Sequence, residues 1–270
     1  MENGGKKIKR IKLYKCGYCV NNIKHIIKGT KSKKIKFPAL VVFIEHQKYG
    51  NILFDTGYSQ NIYNNGVISK IYNMLNKTYV EEKNIIKNKL QADKINNIDK
   101  IILSHAHPDH IGGLRLFENY ELIATEDTIK LLNKSKIRDL VFKNMLPDSD
   151  RYTIKNVKCS NNENFLKKYF NEVYDIFGDS SIIGVRLDGH SKGQMGIYIP
   201  EYKILFAADG SWGNDFVDDV GKMKLIPQLI QNNFKEYKNT IENIKKFKED
   251  YPEIKVIFSH EQFEEIEYDW

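Results

Sequence analysis

The segment that most constrains this chain is His105-Ala106-His107-Pro108-Asp109-His110, which follows an apolar run at residues 101–103. The run predicts a short buried strand that ends where the histidines begin. Alternate residues of an extended segment point to the same side, so His105 and His107 can hold one metal ion between them. Pro108 suits the first turn of a helix, which would direct Asp109 and His110 toward a second position nearby. Imidazole nitrogen and carboxylate oxygen are typical ligands of zinc.

The alternative explanation is a polar loop in which histidines occur by chance. The chain has seven histidines in 270 residues, so this clustering is improbable without a function. Three more ligand-type residues, His190, Asp209 and His260, each stand at or just after the end of an apolar, strand-like run. Proteins of the α/β class place ligand-binding groups at the carboxyl ends of strands. These residues are therefore predicted to converge on the same site.

The histidine segment resembles the His-x-His-x-Asp-His signature of the metallo-β-lactamase superfamily of hydrolases, and His190, Asp209 and His260 follow in that family's order. Residues 55–57, Asp-Thr-Gly, are similar to an early turn of the family. The resemblance implies an α/β fold, the four-layer αββα sandwich of the metallo-β-lactamase type. Because ligands spread from residue 105 to residue 260 must converge, we expect one hydrolase domain over residues 1–270.

The resemblance further implies how the site residues divide between two metal ions. His105, His107 and His190 would bind one ion, Asp109, His110 and His260 would bind the other, and Asp209 would bridge them. Asp55 would lie behind the site and support its ligands. We expect two zinc ions, with iron or manganese as alternatives because both accept histidine and carboxylate ligands. Asp109 and Asp209 are also the candidates for passing a proton to the leaving group.

The predicted reaction is hydrolysis of a small ester or lactone by a metal-bound hydroxide, since two metal ions lower the pKa of a bound water to about 7. The layout is most similar to the N-acyl-homoserine lactonase branch, but it departs at two places. Trp212 stands where that branch has a tyrosine, and residues 190–194 read His-Ser-Lys-Gly-Gln in place of His-Thr-Pro-Gly-His. The candidates for the substrate pocket are Trp212, Tyr58, Tyr63 and Tyr72.

Other functions remain open at this point. Thioester hydrolysis of the glyoxalase II kind and phosphodiester cleavage would use the same ligand set. An iron-dependent persulfide dioxygenase is a further, redox alternative. A protein that only binds a ligand is disfavoured, because a complete set of metal ligands would serve no purpose in it.

Charge and cysteine content limit the kinds of partner that we expect. The net charge is +7, but the lysines are scattered along the chain, so we expect no nucleic-acid partner. There is no apolar run of about 18 residues and no secretory signal, which predicts a cytoplasmic protein without a membrane partner. Cys16, Cys19 and Cys159 are too few for a four-cysteine zinc site and are interpreted as reduced thiols. The expected partner is a small-molecule substrate, and the oligomeric state is left open.

Local patterns predict most of the remaining elements. Strands are expected at residues 8–14, 39–44, 51–54, 121–124 and 256–259, and a hairpin at 195–208. Helices are expected at residues 80–90 and from Phe234 to the segment before Pro252. His46 is interpreted as a surface turn residue. Residues 126–180 are the least readable part, with helices predicted at 128–132 and 137–145 and a strand at 151–157.

Overall fold

A computed structural model of the protein describes residues 5–160 and 164–269. Its strands are β1 Ile8–Asn22, β2 Lys34–His46, β3 Gly50–Phe54, β4 Lys77–Tyr79, β5 Lys100–Ile102, β6 Tyr120–Ala124, β7 Tyr152–Asn156, β8 Val173–Asp175, β9 Ile183–Arg186, β10 Met195–Ile199, β11 Ile204–Phe206, β12 Lys255–Ile257 and β13 Glu267–Asp269. Its helices are α1 Ile23–Ile26, α2 Gly66–Leu75, α3 Ile86–Ala92, α4 Pro108–Ile111, α5 Glu126–Asn133, α6 Asn214–Val217, α7 Leu225–Ile230 and α8 Phe234–Asp250.

The strands form two sheets. The first has the order β13-β1-β2-β3-β5-β6-β7, with β4 paired to β1, and the second has the order β12-β11-β10-β9-β8. Strands β3, β5, β6 and β7 are parallel neighbours, and β11 and β12 form a second parallel pair. The carboxyl ends of parallel neighbours open at one edge of a sheet, where α/β proteins place their binding sites.

Side chains of β2 show how the layers are built. Leu40, Val42 and Ile44 belong to the apolar core between the two sheets, which also contains residues of β10 and β11. Val41 and Phe43 point to the other face, where they join a core shared with α2, α3 and α5. A third core packs α8 on the outer face of the second sheet. The order helix, sheet, sheet, helix confirms the predicted four-layer αββα architecture.

The last long helix, α8, follows its sequence pattern closely. Tyr237, Ile241, Ile244 and Phe247 recur at helical spacing and are buried. Asn233 caps the helix, because its side-chain oxygen accepts hydrogen bonds from the N–H groups of residues 235 and 236. Such a cap stabilises a helix by about 1 kcal/mol. No helix in the described ranges is both long enough and apolar enough to span a bilayer.

Two predictions about the first sheet need correction. Strand β1 continues to Asn22 rather than ending at Tyr14, because its pairing with β2 shifts register between Lys15 and Tyr18 and the strand carries on beyond this irregularity. His46 is buried, not on the surface. Its Nδ1 accepts hydrogen bonds from the N–H groups of residues 48 and 49, and its Nε2 lies 3.0 Å from Ser181 Oγ.

The middle of the chain is more irregular than its sequence pattern predicts. The helix expected at residues 137–145 is replaced by two 3-10 turns, because Leu140 between them adopts a left-handed backbone with φ of 54°. The helix expected at residues 80–90 begins only at Ile86, since Ile85 is extended. Helix α5 and strand β7 lie where they were predicted. Residues 161–163 of this region are outside the described part of the chain.

Candidate active site

The histidine segment leaves the carboxyl end of β5 and turns into α4. Pro108 is the first residue of that helix, as its sequence position predicts. The extended backbone before it turns His105 and His107 toward each other, with His105 Nε2 lying 3.0 Å from His107 Nδ1. Asp109 and His110 lie on the helix and are buried.

His190 completes a first group of three histidines. It stands in the loop between β9 and β10, and its Nε2 lies 2.9 Å from His107 Nδ1. The ligand atoms of His105, His107 and His190 all lie within 4.8 Å of one another, and the three residues are buried. Three converging ring nitrogens form a set that a metal cation satisfies.

Asp109, His110, Asp209 and His260 form a second group, whose ligand atoms also lie within 4.8 Å of one another. His260 Nε2 is 3.3 Å from Asp109 Oδ2, and His110 Nε2 is 3.4 Å from Asp209 Oδ1. Asp209 and His260 come from the parallel neighbours β11 and β12, which bring them out at the same edge of the second sheet.

Asp209 lies between the two groups. Its Oδ2 is 3.1 Å from Nε2 of His190 in the first group and 3.1 Å from Nε2 of His260 in the second. A carboxylate in this position can contact ions held by both groups through its two oxygens. The structure thus brings together all seven residues that the sequence analysis named as metal ligands.

Asp55 supports the histidine segment through hydrogen bonds on the side away from the ligand atoms. Its Oδ2 lies 2.7 Å from His110 Nδ1, and its two oxygens accept hydrogen bonds from the backbone N–H and the hydroxyl of Ser104. Ser104 Oγ in turn lies 3.0 Å from His105 Nδ1. The outer nitrogens of two histidines are therefore held by one hydrogen-bonded group, which leaves their Nε2 atoms facing the site.

Two further supports were not predicted from the sequence. His190 Nδ1 lies 2.8 Å from Gln231 Oε1, and His260 Nδ1 lies 2.8 Å from the carbonyl oxygen of Pro38. Both oxygens are acceptors, so each histidine donates from Nδ1 and keeps Nε2 free for the site. Gln231 is remote in the sequence and Pro38 acts through its backbone, so neither had a recognisable motif.

The loop that carries His190 is tightly fitted against α8. Gly189 has φ of 119°, and its carbonyl oxygen accepts a hydrogen bond from the backbone N–H of Asn233 at 2.9 Å. A Cβ atom at Gly189 would lie 2.1 Å from the backbone nitrogen of Tyr237. Both the backbone conformation and the close approach therefore require glycine here.

The two ligand groups differ in the protonation of their side chains. Burial lowers the pKa of His107 to about 3, and the neighbouring His190 acts in the same direction. Burial works against the charged form of His260 as well, but the Asp209 carboxylate outweighs it and raises the pKa of His260 to about 9. Burial would also raise the pKa of Asp109, yet His110 lowers it to about 2. Burial likewise lowers the pKa of His105 well below its usual range, so His105 and His107 are neutral, whereas the second group pairs carboxylates with protonated histidines.

Two buried polar atoms show that this donor set fits a metal ion. His110 Nε2 and Asp209 Oδ1 are buried and lack a hydrogen-bond partner, although they lie 3.4 Å apart. Buried polar atoms without a partner are costly, at roughly 1–3 kcal/mol each. A divalent cation in the second group would satisfy both atoms, and histidine with carboxylate is a suitable ligand set for it.

A cleft of about 600 Å³ leads to these residues. Tyr58 and Tyr72 line it, with their hydroxyl oxygens 3.1 Å apart, and so does Trp212. Tyr63 is not among the lining residues; it is 42% exposed, and its hydroxyl donates to the carbonyl oxygen of Thr78. The cleft has apolar walls that sequence reasoning missed, formed by Cys19, Ile26, Phe37, Leu140 and Ile230.

The sequence matches two family models. Residues 36–121 match the metallo-β-lactamase superfamily, and residues 81–259, more than half of the chain, match the family described as anti-Pycsar protein Apyc1. The chain belongs to the metallo-β-lactamase superfamily and to the Apyc1 family. With the His/Asp cluster assembled, this metallo-β-lactamase protein is a metallo-hydrolase, and the cluster fits divalent metal ions. No curated protein sequence matches it.

Solved structures share the metallo-β-lactamase fold. A mutant of AiiA from Bacillus thuringiensis with N-decanoyl-L-homoserine at its active site is 18% identical, with a TM-score of 0.70 and 94% of each chain covered. An N-acyl homoserine lactone hydrolase with N-hexanoyl-L-homoserine at its catalytic metal center is 18% identical, with a TM-score of 0.71 and the same coverage. AidC, a dizinc quorum-quenching lactonase, is 16% identical, with a TM-score of 0.54 over 85% of this chain and 74% of its own.

Proposed function

We propose that this metallo-β-lactamase protein hydrolyses a lactone or another small ester with the help of two zinc ions. One observation carries the proposal: Asp209 Oδ2 lies 3.1 Å from Nε2 of both His190 and His260, so a single carboxylate joins two complete ligand groups. The fold shared with lactonases, one of them described as a dizinc enzyme, supports both the metal and the substrate class.

The ligands divide as the geometry groups them. His105, His107 and His190 would hold one ion, Asp109, His110 and His260 the other, and Asp209 would contact both. When bound, such a pair of ions supplies a water with a pKa of about 7 and polarises the ester carbonyl. The hydrogen bonds of Asp55, Gln231 and the Pro38 carbonyl keep the imidazole rings oriented for this task.

Other residues of the cleft would act on the substrate directly. Burial raises the pKa of both Tyr58 and Tyr72 well above the usual range, so their hydroxyls stay protonated and remain hydrogen-bond donors. One of this pair can donate to the ester carbonyl, a role for which Trp212 has no hydroxyl. Asp109 is buried and lines the cleft, and with a pKa of about 2 it is a carboxylate, so it would accept the proton that the attacking water loses and pass it to the leaving alkoxide.

The apolar walls of the cleft indicate that the part of the substrate that does not react is apolar. Ile26, Phe37, Leu140 and Ile230 surround the approach to the His/Asp cluster, and no lysine or arginine is among the residues that line the cleft. An acyl or aryl group would bind there through the hydrophobic effect, excluding water from the reacting ester. We therefore expect hydrolysis to favour esters with an apolar substituent.

Phosphodiester cleavage is the second candidate function. The longer of the two family matches, residues 81–259, is to a family whose description names no lactone or ester, so that match leaves this candidate open. The same ligand set would serve, with the two ions contacting phosphoryl oxygens in place of a carbonyl. The absence of basic residues from the cleft lining ranks this candidate below the ester.

We also propose that residues 1–270 act as one hydrolase domain in the cytoplasm on a small-molecule substrate. The pairing of β1 with β13 and the convergence of ligands from residues 105 to 260 support one domain. The three cysteines are free thiols, which fits a reducing compartment.

The test combines metal analysis with a substrate panel. Purified protein is analysed for bound metals and assayed on an N-acyl-homoserine lactone, an aryl ester, a thioester and a phosphodiester, with oxygen uptake measured in parallel. We expect about two zinc ions per chain and fastest turnover on the lactone or ester. Asp209→Asn should lose at least one ion and slow hydrolysis by about 100-fold or more.

The matched control is Asp215→Asn, which makes the same chemical change at an exposed residue of α6 outside the cluster. A wild-type protein saturated with only one ion would refute the two-ion site. Fastest turnover on the phosphodiester or thioester would replace the proposed substrate class, and oxygen uptake with bound iron would replace hydrolysis itself.

A further inference from the structure

Aliphatic side chains project into solvent around the mouth of the cleft. Of 13 large hydrophobic side chains exposed in the described ranges, nine belong to α2, α7 and the turn at residue 137. They are Val67, Ile68, Ile71, Met74, Leu75, Ile137, Leu225, Ile226 and Leu229. Met74 is 78% exposed and Leu229 is 73% exposed. A concentration of exposed apolar side chains in one region typically marks an interaction site.

Helix α2 presents its aliphatic residues outward. Tyr72 and Ser69 are buried, and the Ser69 hydroxyl accepts a hydrogen bond from the backbone N–H of Asn65. Val67, Ile71 and Met74 face solvent instead. The aliphatic face is therefore not needed to pack the helix against the protein, and it remains free to contact another apolar surface.

Contacts between neighbouring segments place α1, α2 and α7 side by side at the cleft. The Asn21 amide donates to the Asn76 side chain at 2.8 Å, which joins the end of β1 to the end of α2. On the other side, the backbone N–H of Lys224 donates to the Ile26 carbonyl at 2.8 Å, which joins α1 to the start of α7. Asn21, Ile26 and Asn76 all line the cleft.

The turn around residue 137 closes this ring. Leu140 lines the cleft, and the Phe142 ring packs edge-on against Tyr72 of α2 with centroids 5.4 Å apart. Arg138 and Leu229 border the same small pocket beside His190, so the turn also meets α7. We define the rim as residues 22–36, 66–78, 134–140 and 220–230.

The rim is strongly basic. It holds 13 of the chain's 42 lysines and arginines but only one of its 35 acidic residues, Asp139. That carboxylate accepts a hydrogen bond from the backbone N–H of Lys136. Because the whole chain has a net charge of +7, the remainder carries more acidic than basic residues. Lysines that look scattered in the sequence are thus gathered by the fold around the cleft.

We infer that the rim docks on an anionic lipid surface, so that the cleft opens toward the lipid. The aliphatic side chains of α2 and α7 enter the interface, and the lysines around them contact lipid phosphates. This combination of apolar side chains surrounded by lysines is the pattern by which amphipathic helices lie on anionic membranes. The expectation of no membrane partner concerned spanning segments, whereas surface contact requires only exposed side chains.

The charge and the exposed aliphatic side chains of the rim favour an anionic lipid surface over a second copy of the chain or a nucleic acid. A second copy of the chain would bring an equally basic rim against the first, and like charges oppose such an interface. A nucleic acid would neutralise the lysines but would leave the aliphatic side chains of α2 and α7 in water, since backbone binding depends on phosphate contacts. An anionic lipid surface satisfies both the charge and the apolar side chains.

Vesicle flotation tests the inference with the full chain. Vesicles of phosphatidylcholine alone are compared with equimolar phosphatidylcholine and phosphatidylglycerol at low and high salt. The wild-type protein should float with the anionic vesicles at low salt and not with phosphatidylcholine alone. Met74→Gln with Leu229→Gln should weaken binding by about tenfold, since two aliphatic side chains lose their transfer into the interface. Lys28→Glu with Lys70→Glu should weaken it by about tenfold or more.

Matched controls change the same residue types away from the rim. Ile154→Gln alters an exposed aliphatic residue on β7, and Lys87→Glu with Lys167→Glu reverses two exposed charges elsewhere. Thermal melts show that each variant is folded. Asp209→Asn should float like the wild type, so this experiment does not depend on the proposed hydrolysis.

Three outcomes would overturn the inference. The first is wild-type protein that ignores anionic vesicles at low salt. The second is control variants that weaken binding as much as the rim variants. The third is a dimer in analytical ultracentrifugation that Met74→Gln with Leu229→Gln dissociates, which would assign the rim to a second copy of the chain.

Discussion

The Asp55 carboxylate lies 2.7 Å from His110 Nδ1, and Asp55 reaches this position with a left-handed backbone, φ 62°. A residue other than glycine in this conformation costs on the order of 1 kcal/mol, so surrounding contacts must hold it there. Those contacts are the hydrogen bonds from the Ser104 N–H and hydroxyl, at 2.8 and 2.7 Å. The strained turn is thus coupled directly to the orientation of a site histidine.

Replacing Asp55 tests this support. Asp55→Asn keeps the shape but removes the negative charge beside His110, so metal affinity should fall by about 10–100-fold. Metal titration with a competing chelator measures the change. Asp148→Asn, at an exposed position, is the control and should leave the affinity unchanged. Equal affinity in Asp55→Asn and wild type would show that Asp55 only shapes the turn.

Metal loading should release protons at neutral pH. In the metal-free site the Asp209 carboxylate overcomes the effect of burial and raises the pKa of His260 to about 9. His260 therefore carries a proton at pH 7, and a cation must displace it from Nε2. Apparent affinity should rise with pH at least up to about pH 9, where His260 loses its proton and a cation no longer has to displace it.

Calorimetry of zinc binding in buffers of different ionisation enthalpy measures this release. We expect the second group to release at least about one proton per chain at pH 7. Asp209→Asn removes the carboxylate that holds the proton, so its release at pH 7 should be smaller. Zinc binding whose enthalpy is independent of the buffer would contradict the prediction.

Variants of Trp212 test its role in the wall of the cleft. Its ring lies edge-on to His190 with centroids 6.5 Å apart, so it borders the reacting groups. Trp212→Tyr adds a hydroxyl and should keep or raise kcat on a lactone. Trp212→Phe removes the indole N–H, and a loss of about 10²–10³ in rate would identify that group as an oxyanion donor. Unchanged kinetics in both variants would remove Trp212 from the site.

Gly189 is predicted to be intolerant of substitution. In Gly189→Ala the new Cβ would lie 2.1 Å from the Tyr237 nitrogen, and φ of 119° is unfavourable for alanine. We expect a loss of about 2–4 kcal/mol in the free energy of unfolding, measured by chemical denaturation. Gly221→Ala is the control, because a Cβ there has no neighbour within 4 Å. Similar stability of the two variants would contradict the packing argument.

The sequence predicted the site better than its surroundings. Strand β5, the Pro108 turn and the strand-end positions of Asp209 and His260 follow local rules of hydrophobic pattern and proline geometry. The support of His190 by Gln231 does not, because it joins residues 41 positions apart that share no motif. Long-range contacts of this kind become visible only when the fold is known.

The irregular segments show a second limit of sequence reasoning. Leu140 breaks the helix expected at residues 137–145 by adopting a left-handed conformation, which leucine rarely does without tertiary contacts. Cys19 reaches the cleft because β1 continues through a register shift after Lys15, which alternation alone does not predict. Tyr63 lies in the same tyrosine-containing segment as Tyr58 and Tyr72, yet its hydroxyl donates to the carbonyl oxygen of Thr78 and does not line the cleft. In each example packing, not local preference, decides the outcome.

The walls of the cleft and the seven His/Asp residues come from different parts of the fold. None of the seven lies on α2, on α7 or in residues 134–140. Mutations in those segments can therefore change which substrates enter the cleft without disturbing the His/Asp residues at the strand ends. A lineage can therefore acquire new substrates in small, tolerable steps, and an engineer can randomise α2 and α7 as a library while leaving the strand ends untouched.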